Sequence, residues 1–151
     1  VNGRRNPIPT ALPLAVWERD GLAAALARAG LPTEDIQSDG PMFWRFENED
    51  VPVGFGGLQI FGDQALLRAV VTLPPVRKRG IGSAIVTVLE TEARALHCRV
   101  MWAVTATAAS FFTQLGYRAC ERDEAPDVIR ATGEFTRPRS GSETCLTKRL
   151  G

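Results

Sequence analysis

Val70-Val71-Thr72-Leu73-Pro74-Pro75-Val76-Arg77-Lys78-Arg79-Gly80-Ile81-Gly82-Ser83 is the stretch that decides the fold. It reads as a strand, a short basic turn and the opening of a helix. Val70 to Leu73 is apolar and β-branched, as a buried strand requires. Pro74 and Pro75 stop the strand, because neither can donate to a ladder. Gly80 and Gly82 let the backbone come close to a bulky group. The helix runs over about 81–97. Ile81, Ile85, Val88, Leu89 and Leu96 share one face, with Ser83, Thr87, Glu90, Thr91 and Arg94 mostly opposite.

The chemistry of this turn follows from its shape. A helix start presents unpaired N–H groups and a partial positive charge. Glycines there remove side chains that would block an approaching phosphate. Arg77, Lys78 and Arg79 add three full charges. The turn therefore suits a di- or polyphosphate. It is not a Walker loop, since no Lys followed by Ser or Thr comes after the second glycine, and Ser83-Ala84-Ile85 breaks the dinucleotide fingerprint. On the residues alone, a glycine-rich turn with merely solvated basic side chains stays open as the alternative.

Outward from that turn, the 151 residues with 44% hydrophobic content suffice for one domain with a real core, and the net charge of +1 gives no general affinity for nucleic acid. No run is long enough to cross a bilayer as a helix. Cys98, Cys120 and Cys145 are widely spaced, and the lone His97 has no partner at metal-ligand spacing, so no metal site is expected. The sparse, odd cysteine count suits a reducing, cytoplasmic setting. Each cysteine reads first as a small buried hydrophobe.

In chain order, residues 1–11 read as disordered or extended, and 12–151 as a single domain. Leu12 to Trp17 is a first strand. Asp20 is the N-cap of a helix over 21–29 that Gly30 ends, and a second short helix or turn follows to about Ser38. Met42 to Glu47, Val51 to Phe61 and Gln64 to Leu73 are three successive antiparallel strands, the second carrying Gly54, Gly56 and Gly57 as signs of a bulge or close contact. After the long helix come a strand at 100–105, a helix at 107–115, a strand at 117–121, one or two helical turns at 126–132, a polar loop at 137–142 and a last strand at 144–150. This is an α/β fold with a mixed central sheet, mostly antiparallel, with one parallel crossover and helices on both faces.

Arg77-Lys78-Arg79-Gly80-Ile81-Gly82, after its strand and Pro74, together with Phe111-Phe112-Thr113-Gln114-Leu115-Gly116-Tyr117, resembles the GCN5-related N-acetyltransferase (GNAT) family over residues about 12–150. Within that family, Ala29-Gly30-Leu31-Pro32-Thr33, Val53-Gly54-Phe55-Gly56-Gly57-Leu58, Leu66-Leu67-Arg68 and Gly133-Glu134-Phe135 are similar to the N-acetyltransferases encoded with arsenic-resistance genes. The resemblance implies acetyl-CoA as cosubstrate, a small-molecule amine as acceptor and a homodimer. It implies that the backbone of Val70, Val71 and Thr72 pairs with the pantetheine arm. The N–H groups from Arg77 through Gly80, Ile81 and Gly82 to Ser83 would hold the pyrophosphate, and an N–H near Val70 the oxyanion.

Direct attack of a neutral amine on the thioester is the implied reaction. Where many relatives carry a general-acid tyrosine, this chain has Phe112, which then only borders the cofactor. Thiolate leaves without full protonation, since a thiol pKa is about 8.5. Ser110 is the substitute donor or a surface serine. Glu47 is the base or a solvated strand-end glutamate, with water carrying the proton. Arg68 interrupts an apolar strand, on the face of Leu66, Val70 and Thr72 by simple alternation. It is either a forked anchor for a carboxylate, arsonate or phosphonate on the substrate or half of a structural ion pair. The competing functions are a non-catalytic acyl-CoA-binding module, and a regulator whose cysteines bind a trivalent metalloid.

Overall fold

A computed structural model describes residues 8–33, 36–37, 40–74, 80–136 and 143–151. Seven strands form one sheet: β1 (Thr10–Pro13), β2 (Met42–Asn48), β3 (Val51–Phe61), β4 (Gln64–Thr72), β5 (Val100–Thr105), β6 (Arg118–Cys120) and β7 (Thr144–Arg149). Their order across the sheet is β1-β2-β3-β4-β5-β7-β6. β4 and β5 run parallel, and all other neighbours are antiparallel. The mixed sheet with one parallel crossover is thus the architecture that the element order predicts.

The helices are α1 (Arg19–Arg28), α2 (Ile81–Ala95), α3 (Ala109–Gln114), α4 (Asp127–Arg130) and α5 (Gly133–Thr136). They divide the core into three. Ile85, Leu89 and Ala93 of α2 and Phe112 of α3 pack with Phe46, Leu58 and Leu67 of the sheet. On the opposite face, Leu22 and Leu26 of α1 meet Phe43, Phe55 and Val71. Ile129 of α4 and Phe135 of α5 cover Leu66, Trp102 and Cys145. α2 lies tight on β3 because glycines make room: a Cβ on Gly54 would come within 2.7 Å of the Ile85 side chain, and one on Gly56 within 2.8 Å of Leu89.

Local chemistry sets the connections. Glu49 and Asp50 both take left-handed conformations between β2 and β3, the twist a two-residue hairpin needs. α2 ends with His97 left-handed, the Cys98 N–H donating to the Ala93 carbonyl and the His97 N–H to that of Arg94, a Schellman closure without glycine.

Several expectations are corrected. The sheet begins at Thr10, not Leu12: Thr10 and Ala11 pair with Glu47 and Phe46, extended as one of the two readings of residues 1–11 has it. Val16–Glu18 is a 3-10 turn, and α1 starts at Arg19, placing Asp20 inside the first turn rather than at the cap. Within 31–38, the described Ile36 and Gln37 form a turn. α2 stops at Ala95; Leu96 is 44% exposed while Glu90 is buried, so the helix face is rotated from the one that apolar spacing alone suggests. α5 is an element that the periodicity does not signal, being only four residues long.

The most consequential difference is in β4. Arg68 pairs with Gly57 but Val71 with Phe55, so two residues of β4 stand against the single Gly56. Ala69 is left-handed, with φ 56°, at this bulge. The extra residue reverses the alternation. Leu66 packs under α4 and α5, and Val71 packs under α1 on the same side of the sheet, whereas Val70 turns to the α2 side. Arg68 therefore does not share a face with Val70 and Thr72.

Candidate active site

The site grows from the same bulge. β4 and β5 pair only at Gln64–Val100, Ala65–Met101 and Leu66–Trp102. Beyond Leu66, β4 remains paired with β3 on one edge, and its other edge borders a cavity of about 480 Å³. A bulge bends and twists its strand, which carries β4 away from β5 here. Arg68, Ala69 and Val70 form one wall of the cavity; Val104, Thr105 and Phe111 form the facing one. Leu26 and Ile36 close the α1 side.

At its far end β4 leads to the start of α2. A Cβ on Gly82 would lie 3.6 Å from the Thr72 methyl and 3.4 Å from the Phe111 ring. Gly80 is left-handed at φ 73° and caps α2, and the first intrahelical bond runs from the Ala84 N–H to the Gly80 carbonyl at 3.1 Å. The N–H groups of Ile81, Gly82 and Ser83 precede that bond and belong to the unpaired set of a helix start. Arg77, Lys78 and Arg79 lie outside the described residues.

Three ionisable side chains line the cavity among the described residues: Arg68, Glu134 and Glu143. Arg68 is almost fully buried. Its guanidinium donates to Gln59 Oε1 at 2.6 Å and its Nε stands 3.4 Å from Glu134 Oε2. Of the two roles open for Arg68, the ion pair is the one it makes. Glu143 stands just before β7, whose first residue Thr144 pairs with Thr105. Its Oε1 is buried without a hydrogen-bond partner among the described residues. Thr105 turns the chain into α3, its Oγ1 accepting the Ala108 N–H at 3.0 Å.

Not every expected residue comes to this place. Val70 lines the cavity; of Val71, expected there through its backbone, the side chain is buried under α1. Phe112 lines the cavity and stacks edge-on against Phe111 and Tyr117, with centroids 5.1 and 5.2 Å apart. Ser110 is exposed and outside the lining; its carbonyl accepts the Thr113 hydroxyl. Glu47, on β2, accepts from Arg45 Nε at 2.7 Å, and it too is outside the lining.

Tyr117 is occupied elsewhere. Its hydroxyl donates to Glu90 Oε2 at 2.8 Å, and burial, reinforced by that carboxylate, pushes its pKa far above the usual tyrosine value. Cys120 and Cys145 lie opposite one another on β6 and β7 with their sulfurs 3.3 Å apart, whereas Cys98 belongs to the α2 core. Burial is the main cause that raises all three thiols, Cys145 to about 12. Among the described residues no group of three His, Cys, Asp or Glu is placed to hold a metal ion, and no helix is long and apolar enough to cross a membrane.

Glu134 and Glu143 are the site residues for which sequence reasoning had no role. Glu134 sits in a stretch quoted for its resemblance, but nothing local says that it meets Arg68, 66 positions earlier.

Comparison with known proteins is consistent with this geometry. The profile described as Acetyltransferase (GNAT) family matches residues 11–117. No curated protein matches the chain. Among solved structures, N-acetylglutamate synthase from Neisseria gonorrhoeae, complexed with coenzyme A and L-arginine, superposes with a TM-score of 0.76 at 17% identity over 96% of this chain. The chain spans only 34% of that enzyme's length. Rv2747 from Mycobacterium tuberculosis, in complex with CoA, gives 0.72 at 20% identity over 95% of this chain and all of its own. Tetrahymena GCN5 gives 0.74 at 12% identity, covering 94% of this chain and 96% of its own.

Proposed function

Because the chain belongs to the acetyltransferase (GNAT) family, we propose that it transfers the acetyl group of acetyl-CoA to the amine of a small molecule. One observation carries this reading: the β4–β5 ladder ends at Leu66–Trp102 and opens into a cavity that leads toward the capped start of α2. An extended pantetheine arm fits along the unpaired edge of β4 at Arg68 to Val70, as an added strand would. The diphosphate meets the N–H groups of Ile81, Gly82 and Ser83. An N–H near Val70 faces the thioester oxygen and takes the charge that develops on it. Neisseria N-acetylglutamate synthase and Rv2747, both solved with coenzyme A, support the choice of cofactor.

The reaction on this reading is direct. The acceptor enters between α1 and β5, where Leu26, Ile36 and Phe111 give an apolar pocket. Holding both reactants together supplies much of the rate. Phe112 offers no proton and Tyr117 is bound to Glu90, so coenzyme A leaves as thiolate. An acceptor connected with arsenic resistance is the narrower form of the proposal. It stands on the sequence resemblance and on Arg68 lying in the cavity wall, and no protein compared above has an arsenic-linked activity in its name. A cytoplasmic setting and a homodimer belong to the same reading.

The test is calorimetry with coenzyme A, followed by a thioester-cleavage assay over an amine panel. The expected result is micromolar binding and acceptor-dependent release of coenzyme A. Binding without any acceptor-dependent release would favour a non-catalytic acyl-CoA module instead.

A further inference from the structure

We infer that Glu143 receives the ammonium of the acceptor and takes its proton, and that the acceptor is a small primary monoamine with an apolar body. This rests on the acetyl-transfer reading above and adds to it the group that the sequence left unassigned.

The argument is one of unmet demand. Buried carboxylate oxygens are almost always hydrogen-bonded, because losing water without a replacement donor is costly. Glu143 Oε1 is buried and has none among the described residues. Among the described residues, the other charged groups that face the same cavity are Arg68 on β4 and Glu134 on α5. Arg68 is already held by Gln59 and by Glu134, so the nearby positive charge has its own counter-charge. What Glu143 lacks is a cationic donor, and the cavity is where one would arrive. A protonated primary amine supplies the hydrogen bond and the charge together.

The remaining lining restricts the rest of the ligand. Leu26, Leu31, Ile36 and Phe111 offer apolar surface to a short body. With Glu134 paired to Arg68 and Glu143 to the first ammonium, the second cation of a polyamine would meet no free counter-charge among the described lining residues.

The proton path closes without a further reagent. Glu143 Oε1 takes one proton from R–NH3+, freeing the nitrogen lone pair. The nitrogen forms a bond to the acetyl carbonyl carbon as the carbon–sulfur bond breaks and the sulfur leaves with the electron pair. The second nitrogen proton is lost as the amide forms and is taken up by the thiolate or by solvent. Glu143 then returns its proton to water.

The experiment compares wild type with Glu143→Gln and Glu143→Asp, using 2-phenylethylamine and tyramine as monoamine probes and spermidine as the polyamine. Glu143→Gln should lower kcat/KM for the monoamines by about a hundredfold at neutral pH, the usual worth of a positioned base. The gap should narrow toward the amine pKa of about 10, where free amine is abundant. Glu143→Asp should recover part of the loss, and the coenzyme A dissociation constant should stay the same in all three. Wild-type kcat/KM and an unaltered pH profile in Glu143→Gln would overturn the assignment, as would spermidine being the preferred acceptor. If wild type binds coenzyme A but acetylates no amine, the acetyl-transfer reading fails by itself. The amine site is then read by thermal shift: stabilisation by 2-phenylethylamine that Glu143→Gln abolishes retains it, and no stabilisation of either protein overturns it.

Discussion

Two clusters of buried charge flank the sheet, one on each face, and they are finished to different degrees. On the α2 side, Glu90 accepts the Tyr117 hydroxyl at 2.8 Å and Lys148 Nζ at 3.1 Å, while Lys148 also donates to the Leu115 carbonyl. These contacts tie α2, the end of α3 and β7 together. On the α5 side, Arg68 is held by Gln59 and Glu134, but the cluster opens on a cavity where Glu143 Oε1 has no partner among the described residues. A closed set of charges specifies packing. An open one leaves a demand for a ligand, and the contrast separates the two roles without reference to any relative.

That contrast is easiest to break at Glu90. Glu90→Leu removes the acceptor from both Tyr117 and Lys148, and should cost about 3–5 kcal/mol in urea unfolding, the usual penalty for orphaning a buried charge. Adding Lys148→Met should recover much of it, because an apolar replacement of both partners is nearly neutral. Coenzyme A affinity of the folded fraction should not change. A comparable loss of coenzyme A binding would show that the two clusters are not separate.

Arg68→Ala should cost less, about 1–3 kcal/mol, since Glu134 retains some access to water. Its distinguishing effect is kinetic. For an anionic acceptor held by Arg68, KM should rise far more than the dissociation constant of coenzyme A; for an apolar monoamine neither should move. Unchanged steady-state constants for the anionic acceptor would reduce Arg68 to an ion pair with no part in acceptor binding.

Gly80→Val tests the other end of the cleft. It places a β-branched residue at a left-handed cap, for about 1–2 kcal/mol of strain, and should weaken coenzyme A binding by about tenfold in calorimetry. Unaltered binding would move the diphosphate away from the start of α2.

The smallest effect concerns pH. Burial holds Cys145 protonated up to about 12, from an ordinary 9.0. A thiol whose pKa is raised by folding contributes fully below its unfolded value, and the contribution falls as pH rises from about 9 toward 12. Cys145→Ala should flatten that part of the stability curve in thermal melts across this range. An identical slope in the variant would assign the alkaline loss to other groups, Tyr117 first.

The sequence was most legible where structure is local. The hairpins joining β2, β3 and β4 follow from alternation and from turn residues at 48–50 and 62–63, and β5 falls on the six residues expected for it, Val100 to Thr105. The cleft was legible only at its glycine end. Simple alternation puts Arg68 with Val70, and no residue type at 68–70 signals a left-handed alanine. Glu90 reads as solvated because its partners lie 27 and 58 positions away. Glu143 could not be seen at all, since its significance is a missing donor, a property of three-dimensional surroundings and not of any motif.

Ala69 has a consequence of its own. One surplus alanine throws the fourth strand out of step and keeps it from zipping to the fifth along their whole length. Excising it should yield a neater, better-bonded sheet, with continuous pairing where the cavity now lies. The protein would become more regular and lose its cleft, so the opening is a property of residue count as much as of residue identity.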